Sequence, residues 1–280
     1  TLDLYNEVHP LSRVSNTKFA GSILQVNSGT NYSIKLTSPS FTSDIYKNAV
    51  TRVDSFSTAS GTVYHVDPSG NDGNSGLSFS QAFKTLGKAL SVVSAGNKIL
   101  LHTGRYYEGE LVVPNSGSAG NPIVIINAPG EKPVLDGTDT AFAPSWVVYD
   151  AVNNIYKTAT NRLPTHAYID GVHLFHYVNL ADLTNKIYGE PGYYVDGTSM
   201  YVRFPAASSP GSHTITIPKF SRSLVLDGKS YIHIIGIEFG YYGYSNPAGN
   251  YTSRPKAIYI NNGNYNLIDS NYFHQTNVGV

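Results

Sequence analysis

Residues 223–240 read SLVLDGKSYIHIIGIEFG, and residues 257–274 read AIYINNGNYNLIDSNYFH. The two stretches match at a constant shift of 34 positions. The matched pairs are Leu224 and Ile258, Leu226 and Ile260, Tyr231 and Tyr265, Ile234 and Ile268, and Phe239 and Phe273. Short apolar alternations separated by turn residues are typical of strands that bury one face. Because one such repeat cannot bury its apolar face alone, the pair predicts two stacked coils of a solenoid, each with one looped-out segment.

Further strand-like segments precede this repeat, at residues 99–101, 111–113, 123–126 and 134–135. The first and the third begin 24 residues apart, which is about one coil of a parallel β-helix. Before them, apolar residues at helical spacing predict a helix from Phe83 to Val93, with Ser78 or Ser80 as its N-cap. We expect this helix to cover the open N-terminal end of the solenoid core.

A β-rich insertion is predicted inside the solenoid, at about residues 138–222. Two of its segments place an Asp-Gly pair between apolar alternations, at Asp170-Gly171 and at Asp196-Gly197. That arrangement is the strongest short-range signal of a β-hairpin.

Residues 1–60 differ from the rest in being rich in Ser, Thr and Asn. Alternating segments at residues 22–26 and 32–36 flank a turn-forming stretch and predict a hairpin, and the small polar run 57–61 is typical of a linker. We therefore divide the chain into a small module at residues 1–60 and a parallel β-helix at residues 61–280. No capping segment is visible at its end, so we expect the solenoid to continue beyond residue 280.

Composition excludes several classes of function. The 19 Lys and Arg residues balance the 19 Asp and Glu residues, which leaves no basic field for nucleic acid. Cysteine is absent, so disulfides, thiolate nucleophiles and cysteine-ligated metals are excluded. No apolar run approaches the roughly 20 residues of a membrane span, and the first residues do not form a signal region. A signal was either removed or never present.

Residues 64–76 read YHVDPSGNDGNSG, residues 82–86 read AFKTL, and residues 104–107 read GRYY. With Ser116-Gly117 and residues 120–123, GNPI, these motifs resemble the opening of β-helix proteins of the pectate-lyase-like superfamily. The resemblance implies an all-β fold, a right-handed parallel β-helix with a capping α-helix. These motifs indicate the architecture but not a particular activity, because the superfamily includes lyases, hydrolases, epimerases, adhesins and phage tailspikes.

Residues 21–26, GSILQV, are followed by Gly29-Thr30 and the short strand-like stretch 34–36. This order resembles the virion-anchoring segments of phage tail fibres and tailspikes. The resemblance implies a place in the virion tail, tail or baseplate partners for residues 1–60, and a homotrimer. The expected function is a tail fibre or tailspike that recognises host-surface polysaccharide, with depolymerisation left open. A secreted bacterial polysaccharide lyase or glycoside hydrolase is the first alternative, and a non-catalytic adhesin or structural fibre is the second.

Candidate catalytic residues are Glu238, Asp269 and His274. Glycosidases need two carboxyl groups across the sugar, and eliminating lyases need a base. Glu238 lies between two core residues, so its side chain should point outward, as should that of Tyr272 one repeat later. His274 could be a general base. A solvated surface carboxylate and a rim histidine without a catalytic role are the alternative interpretations.

Candidate saccharide-binding residues follow the first copy of the repeat, and they are Tyr241, Tyr242, Tyr244, Tyr251, Arg254 and Lys256. Aromatic faces stack on the apolar faces of sugar rings, although aromatic residues also fill insertions for structural reasons.

No metal site is predicted, with calcium kept as the alternative. Asp67, Asn71, Asp72 and Asn74 form an oxygen-rich loop without EF-hand spacing, and such residues are also those that tight turns require. His166, His173 and His176 lack a convincing zinc pattern, because His173 and His176 fall on opposite faces of a strand.

Overall fold

The computed structural model describes residues 12–15, 18–20, 30–36, 42–50, 59–160, 163–189, 191–243 and 255–280. The chain divides into two compact units, Thr1–Phe56 and Ser57–Val280. No helix in these ranges is long and apolar enough to span a membrane.

The first unit contains two antiparallel strand pairs. Strand β1 (Ser12–Ser15) pairs with β2 (Lys18–Ala20), and β3 (Asn31–Leu36) pairs with β4 (Ile45–Val50). The predicted strand at residues 32–36 is therefore present, and the partner that the structure describes for it is β4. The predicted partner at residues 22–26 lies outside the described residues.

The second unit begins with strands β5 (Val63–Val66), β6 (Lys98–Leu101), β7 (Gly104–Tyr106), β8 (Leu111–Val112), β9 (Ile123–Asn127) and β10 (Pro133–Asp136). The insertion contributes β11 (Val147–Asp150), β12 (Ile155–Ala159), β13 (Ala167–Ile169), β14 (Val172–His176), β15 (Gly192–Val195), β16 (Ser199–Arg203) and β17 (Ile215–Thr216). The chain then continues through β18 (Arg222–Asp227), β19 (Ile232–Ile235), β20 (Glu238–Gly240), β21 (Lys256–Asn261), β22 (Leu267–Asp269) and β23 (Tyr272–His274). Its helices are α1 (Leu86–Val92), α2 (Leu180–Asn185) and two 3-10 turns, Phe79–Gln81 and Pro210–Ser212.

Three parallel sheets make a parallel β-helix, which confirms the predicted fold class. The first sheet has the order β5-β6-β9-β19-β22, the second β7-β10-β20-β23 and the third β8-β18-β21. Each full coil visits the three sheets in that sequence. Because the coils stack in parallel, residues far apart in sequence become neighbours across each sheet.

The 34-residue repeat is confirmed residue by residue. Leu224 faces Ile258 in the third sheet, and Phe239 faces Phe273 in the second. The two phenylalanine rings stack at 5.1 Å between centroids. Such a ladder of identical positions supplies the continuous apolar core that one coil could not make alone.

The predicted spacing of 24 residues in the earlier coils is wrong. Ile99 faces Ile125, a shift of 26 positions. In this register Ile123 corresponds to Asn97, one residue before β6 begins. Aligning Ile99 with Ile123, the first isoleucine of each segment, therefore gives the wrong register. The predicted and observed shifts differ by two residues, and side chains along a strand alternate with a period of two. The prediction of which residues point inward and which point outward is therefore unaffected.

Helix α1 begins three residues later than predicted, and neither Ser78 nor Ser80 is its N-cap. The cap is Thr85, whose hydroxyl accepts a hydrogen bond from the Lys88 amide. Phe83 instead forms a bridge with Val66. The helix lies between β5 and β6, and its buried face, Leu86, Ala89 and Leu90, belongs to the solenoid core. It therefore covers the first coil, where the chain passes from one strand of the first sheet to the next without visiting the other two.

The insertion forms a seven-stranded, mostly antiparallel sheet with its own apolar core. Both predicted Asp-Gly turns are present. Asp170 and Gly171 have φ angles of 51° and 81°, the left-handed pair that a tight hairpin turn requires between β13 and β14. Thr138 and Pro218 pair at the base of the insertion. It therefore departs between β10 of the second sheet and β18 of the third, and the step from β20 to β21 is the equivalent connection one coil later.

Candidate functional site

The outer face of the second sheet carries a cluster of polar side chains that comes from four coils. Register places Arg105, Val134, Glu238 and Tyr272 in one row across the sheet, and Asp136, Gly240 and His274 in the next outward row. Between them, the inward row Tyr106, Leu135, Phe239 and Phe273 packs in the core. The predicted outward direction of Glu238 and Tyr272 thus follows from the alternation of the strands.

Glu238 and His274 form a hydrogen-bonded pair on this face. The Nε2 atom of His274 lies 2.8 Å from Oε1 of Glu238, so the imidazole donates and the carboxylate accepts. A Cβ atom at Gly240 would lie 2.6 Å from Cε1 of His274. The pair therefore depends on the absence of a side chain at Gly240, because the ring of His274 lies over that position.

Arg105 and Asp136 form a second pair in the preceding coils. Nη1 of Arg105 lies 2.5 Å from Oδ2 of Asp136, and Oδ1 accepts a hydrogen bond from the Thr138 amide at 2.8 Å. The Arg105 side chain is 46% exposed, whereas that of Asp136 is 3% exposed. Burial opposes the charged form of Arg105, but the hydrogen bond and the charge of Asp136 outweigh it and raise the arginine pKa. The guanidinium therefore stays charged, with its counter-ion beneath it.

Tyr241 lies where the second sheet meets the insertion. Its φ angle of 60° is left-handed, a conformation that is uncommon for a residue other than glycine. Its ring makes edge contacts with Tyr168 of the insertion at 5.1 Å and with His274 at 5.7 Å. Burial, and then the charge of Asp136, raises the pKa of the Tyr241 phenol, so the hydroxyl remains protonated.

The insertion forms an aromatic and histidine-rich wall beside this face. His173 contacts Tyr168 at 5.6 Å and His166 at 5.5 Å between ring centroids. Burial, together with the nearby His173 and His176, lowers the pKa of His166 to about 4. These imidazoles are therefore neutral at physiological pH. Within the described ranges, no group of three or more His, Asp and Glu side chains is arranged to hold a metal ion.

The structure separates several residues that the sequence analysis had grouped together. Tyr242 is fully buried, and its hydroxyl donates to the Glu108 carbonyl at 2.7 Å, so its assignment to saccharide contact is wrong. The reversed backbone at Tyr241 directs Tyr241 outward and Tyr242 into the core. Asp269 lies in the first sheet and Lys256 in the third, where its Nζ atom is above the Tyr259 ring. Tyr244, Tyr251 and Arg254 lie outside the described residues.

The oxygen-rich loop makes turn and capping contacts. Oδ1 of Asp67 accepts the Ser69 amide, and Oδ1 of Asn71 accepts the Gly73 amide. Asp72 accepts from the amides of Lys84 and Thr85 just before helix α1. These contacts are those of tight turns and of a helix start.

Sequence reasoning missed Arg105, Asp136 and Tyr168. The signal for the first two was their place next to inward residues, since Arg105 precedes Tyr106 and Asp136 follows Leu135. That signal becomes specific only once the register across coils is known. Tyr168 precedes a confirmed hairpin turn, but nothing in its own strand indicates that it contacts Tyr241.

The cluster has the chemical groups that saccharide recognition uses. Asp136 and Glu238 are diagonal neighbours on adjacent parallel strands, with Glu238 facing outward and Asp136 held beneath Arg105. The exposed ring of Tyr272 and the edge of Tyr241 add aromatic surface beside these polar groups.

The sequence matches no protein-family model and no curated protein. Solved structures do resemble the fold. A structure described as XylC in complex with xylose aligns with a TM-score of 0.57 and 21% identity, covering 76% of this chain and 40% of that one. A glycoside hydrolase aligns at 0.43 and 13% over 65% of this chain and 51% of that one. Pectate lyase Pel9A aligns at 0.37 and 14% over 79% and 36%. The chain thus spans about half or less of each, and at these identities the likeness shows the fold alone.

Proposed function

We propose that this chain binds a polysaccharide along the outer face of the second sheet. The observation that carries the proposal is the two-row cluster of Arg105, Asp136, Glu238, Tyr272 and His274, which four stacked coils bring together. Charged and hydrogen-bonding groups beside an aromatic surface suit the polar edges and the apolar faces of sugar rings. A ladder of coils also suits an extended ligand, because successive coils can contact successive sugar units.

The wall formed by the insertion supports the same proposal. Tyr168 contacts Tyr241 and His173 contacts Tyr168, so the ring of Tyr241 is held against the insertion at one side of the polar face. Partial desolvation lowers the pKa of His173, so that boundary carries no added charge at neutral pH. Tyr168 itself is 2% exposed, so the groups that a sugar can reach there are Tyr241 and the exposed His173.

A glycan-array screen followed by titration calorimetry tests the proposal. Replacing Tyr272, which is 63% exposed on the proposed surface, by Ala should weaken binding about ten-fold, as expected for one lost aromatic contact. The matched control is Tyr265→Ala. Tyr265 is 72% exposed, but it lies just before β22 of the first sheet, where it stacks on Tyr231, and so it is not part of the proposed surface. Equal effects of the two substitutions, or no binding to any glycan, would contradict the proposal.

Cleavage of the bound polysaccharide is a second candidate function, favoured by the outward-facing Glu238 and its hydrogen bond to His274. In this proposal the Glu238 carboxylate acts as the base or the nucleophile at the sugar, whereas Asp136 is almost completely buried and stays paired with Arg105. New reducing ends without ultraviolet-absorbing products would support a hydrolase, and unsaturated uronates would support a lyase. Loss of either product in Glu238→Gln, with binding retained, is the expected result. Binding without any product leaves an adhesin.

We further propose, from the resemblance of residues 21–36, that the first unit attaches the chain to a phage tail and that the chain is a homotrimer. Deleting residues 1–56 should leave a folded β-helix that no longer joins virions. Sedimentation of the full chain measures the oligomer. Virion genes beside its coding sequence would support this role, whereas a signal peptide encoded upstream would favour a secreted enzyme. Particles that still incorporate the deletion variant would contradict the attachment role.

A further inference from the structure

We propose that Asp136 is a specificity-determining residue that makes this surface select uncharged saccharides over anionic ones by neutralising Arg105. The inference rests on the proposed saccharide binding and adds the charge class of the ligand. It begins from an observation about position. Arg105 is the exposed cation in the cluster, and it lies in the same outward row as Glu238 and Tyr272.

The buried carboxylate of Asp136 lies beneath the Arg105 guanidinium and is hydrogen-bonded to it. That side chain is almost completely buried, and its two oxygens have separate roles. Oδ1 accepts the Thr138 amide and fixes the side chain, which leaves Oδ2 against the guanidinium. A carboxylate held in this way remains paired with Arg105 whether or not a ligand is present. An incoming anion would therefore have to compete with a neighbour that is already in place.

The second pair adds further negative charge. Glu238 lies in the row of Arg105 and is hydrogen-bonded to His274, so its carboxylate also faces outward with its own partner. Asp136 contacts the guanidinium, and Glu238 lies in the same row two strands away with His274 as its own partner. The carboxylate of a uronic acid would meet repulsion from both acids and only a shared cation. A neutral sugar meets no such repulsion, and it can accept hydrogen bonds from the remaining N–H groups of Arg105.

Tyr241 also favours an uncharged ligand over an anionic one. Tyr241, beside Asp136, has a raised pKa, and its phenol remains a neutral hydroxyl that can donate to a sugar oxygen. The neutral His173 stands behind Tyr168 in the wall. Hydrogen-bonding groups without an unpaired cation are suited to hydroxyl-rich, uncharged polymers.

The test compares polymers that share a backbone and differ in charge. Polygalacturonate is paired with its fully methyl-esterified form, and glucuronoxylan with unsubstituted xylan, and binding is measured at low ionic strength. We expect the wild-type chain to prefer the uncharged member of a pair. Asp136→Asn keeps the oxygen that accepts from Thr138 and frees Arg105 from its counter-ion. That variant should gain about ten-fold in affinity for the anionic member, the effect of one freed charge-assisted hydrogen bond.

Asp227→Asn is the matched control. It changes the net charge of the chain by the same amount, but Asp227 is an exposed residue of the third sheet. It should leave the preference unchanged. Glu238→Gln should shift the preference in the same direction as Asp136→Asn and provides a second route if that variant unfolds. Wild-type preference for the anionic members, or an equal gain in the control, overturns the inference about charge and leaves saccharide binding intact. Failure to bind these pairs and every glycan on the array overturns the proposed function itself.

Discussion

At the scale of single residues, the proposed site depends on a position that carries no side chain. Gly240 has an ordinary extended role in β20, yet a methyl group there would meet the ring of His274 at 2.6 Å from Cε1 and 2.8 Å from Nε2. The ring is the free end of a side chain, so it can move away at little cost to the fold. What it would lose is the hydrogen bond to Glu238.

We therefore expect Gly240→Ala to displace His274 while changing the free energy of unfolding by about 1 kcal/mol or less. Imidazole nitrogen NMR, assigned with His274→Gln, should show loss of the hydrogen-bonded Nε2 signal, and saccharide affinity should fall with it. Gly211→Ala is the control, because a Cβ at Gly211 meets no atom within 4 Å. An unchanged His274 signal in Gly240→Ala would contradict this account of the pair.

Residue direction was predictable from sequence wherever a strand alternates cleanly. Glu238 and Tyr272 point outward because core residues flank them, and the sequence pattern states this directly. Tyr242 was assigned to saccharide contact as an aromatic residue of the following loop, and alternation could not correct this because the left-handed backbone at Tyr241 interrupts it. Tyrosine rarely takes that conformation, so nothing in residue type signals the reversal.

At the scale of elements, the start of helix α1 depends on groups from three parts of the chain. The carboxylate of Glu108, which follows β7, accepts hydrogen bonds from the amides of Leu86 at 2.8 Å and Gly87 at 3.0 Å. Thr85 caps the amide of Lys88, and Asp72 holds the Thr85 hydroxyl. The first amides of a helix have no partners within it, so these side chains satisfy donors that would otherwise be buried and unpaired.

Removing these hydrogen-bond partners should destabilise helix α1, which covers the first coil of the solenoid. We expect Glu108→Ala to lower the free energy of unfolding by about 2–4 kcal/mol, since it leaves two amides unpaired beneath the core. Thr85→Ala should lower it by about 1 kcal/mol, the usual effect of a lost N-cap. Urea unfolding measures both. The control Ser91→Ala removes an exposed hydroxyl near the other end of the same helix and should have an effect below about 0.5 kcal/mol. An equally small effect of Glu108→Ala would show that the helix start is not held in this way.

The existence of this helix was predictable, but its first residue was not. The apolar spacing from Leu86 to Leu90 indicates a helix in any context. Ser78, Ser80 and Thr85 are all suitable caps by residue type. The choice of Thr85 depends on Asp72 and Glu108, whose proximity exists only in the folded coil.

At the scale of the whole molecule, stacking is what turns local sequence into a site. The coils that the 34-residue repeat indicates are correct in register, because equivalent apolar residues face each other at every matched position. Arg105 and Asp136 belong to coils without such a visible repeat, and the seven-stranded insertion separates them from Glu238 along the chain. The fold was therefore largely readable from sequence, whereas the cluster depends on a register that the weaker repeat did not determine.

Five histidines that are partly desolvated in the fold make the second unit sensitive to acid as a whole. Burial lowers the pKa of His65, His166, His173, His176 and His233, and that of His166 falls from 6.5 to about 4. The folded chain therefore resists protonation that the unfolded chain accepts. The sign follows directly: this contribution to stability is fully present above pH 6.5 and is lost as the pH falls from 6.5 toward about 4.

For His166 alone the shift corresponds to about 2–3 kcal/mol after allowance for solvent screening, which in a unit of this size is roughly 5–10 °C in the unfolding temperature. We expect thermal unfolding to shift downward steeply between pH 6.5 and pH 4, and His166→Gln to flatten that dependence because glutamine does not titrate. Thr165→Ala is the control, since it removes the hydroxyl that contacts Nδ1 of His166 at 3.1 Å but keeps the imidazole, so it should retain the wild-type slope. Parallel curves for the wild-type chain and His166→Gln would mean that His166 contributes nothing to acid sensitivity, and that His65, His173, His176 and His233 account for it instead.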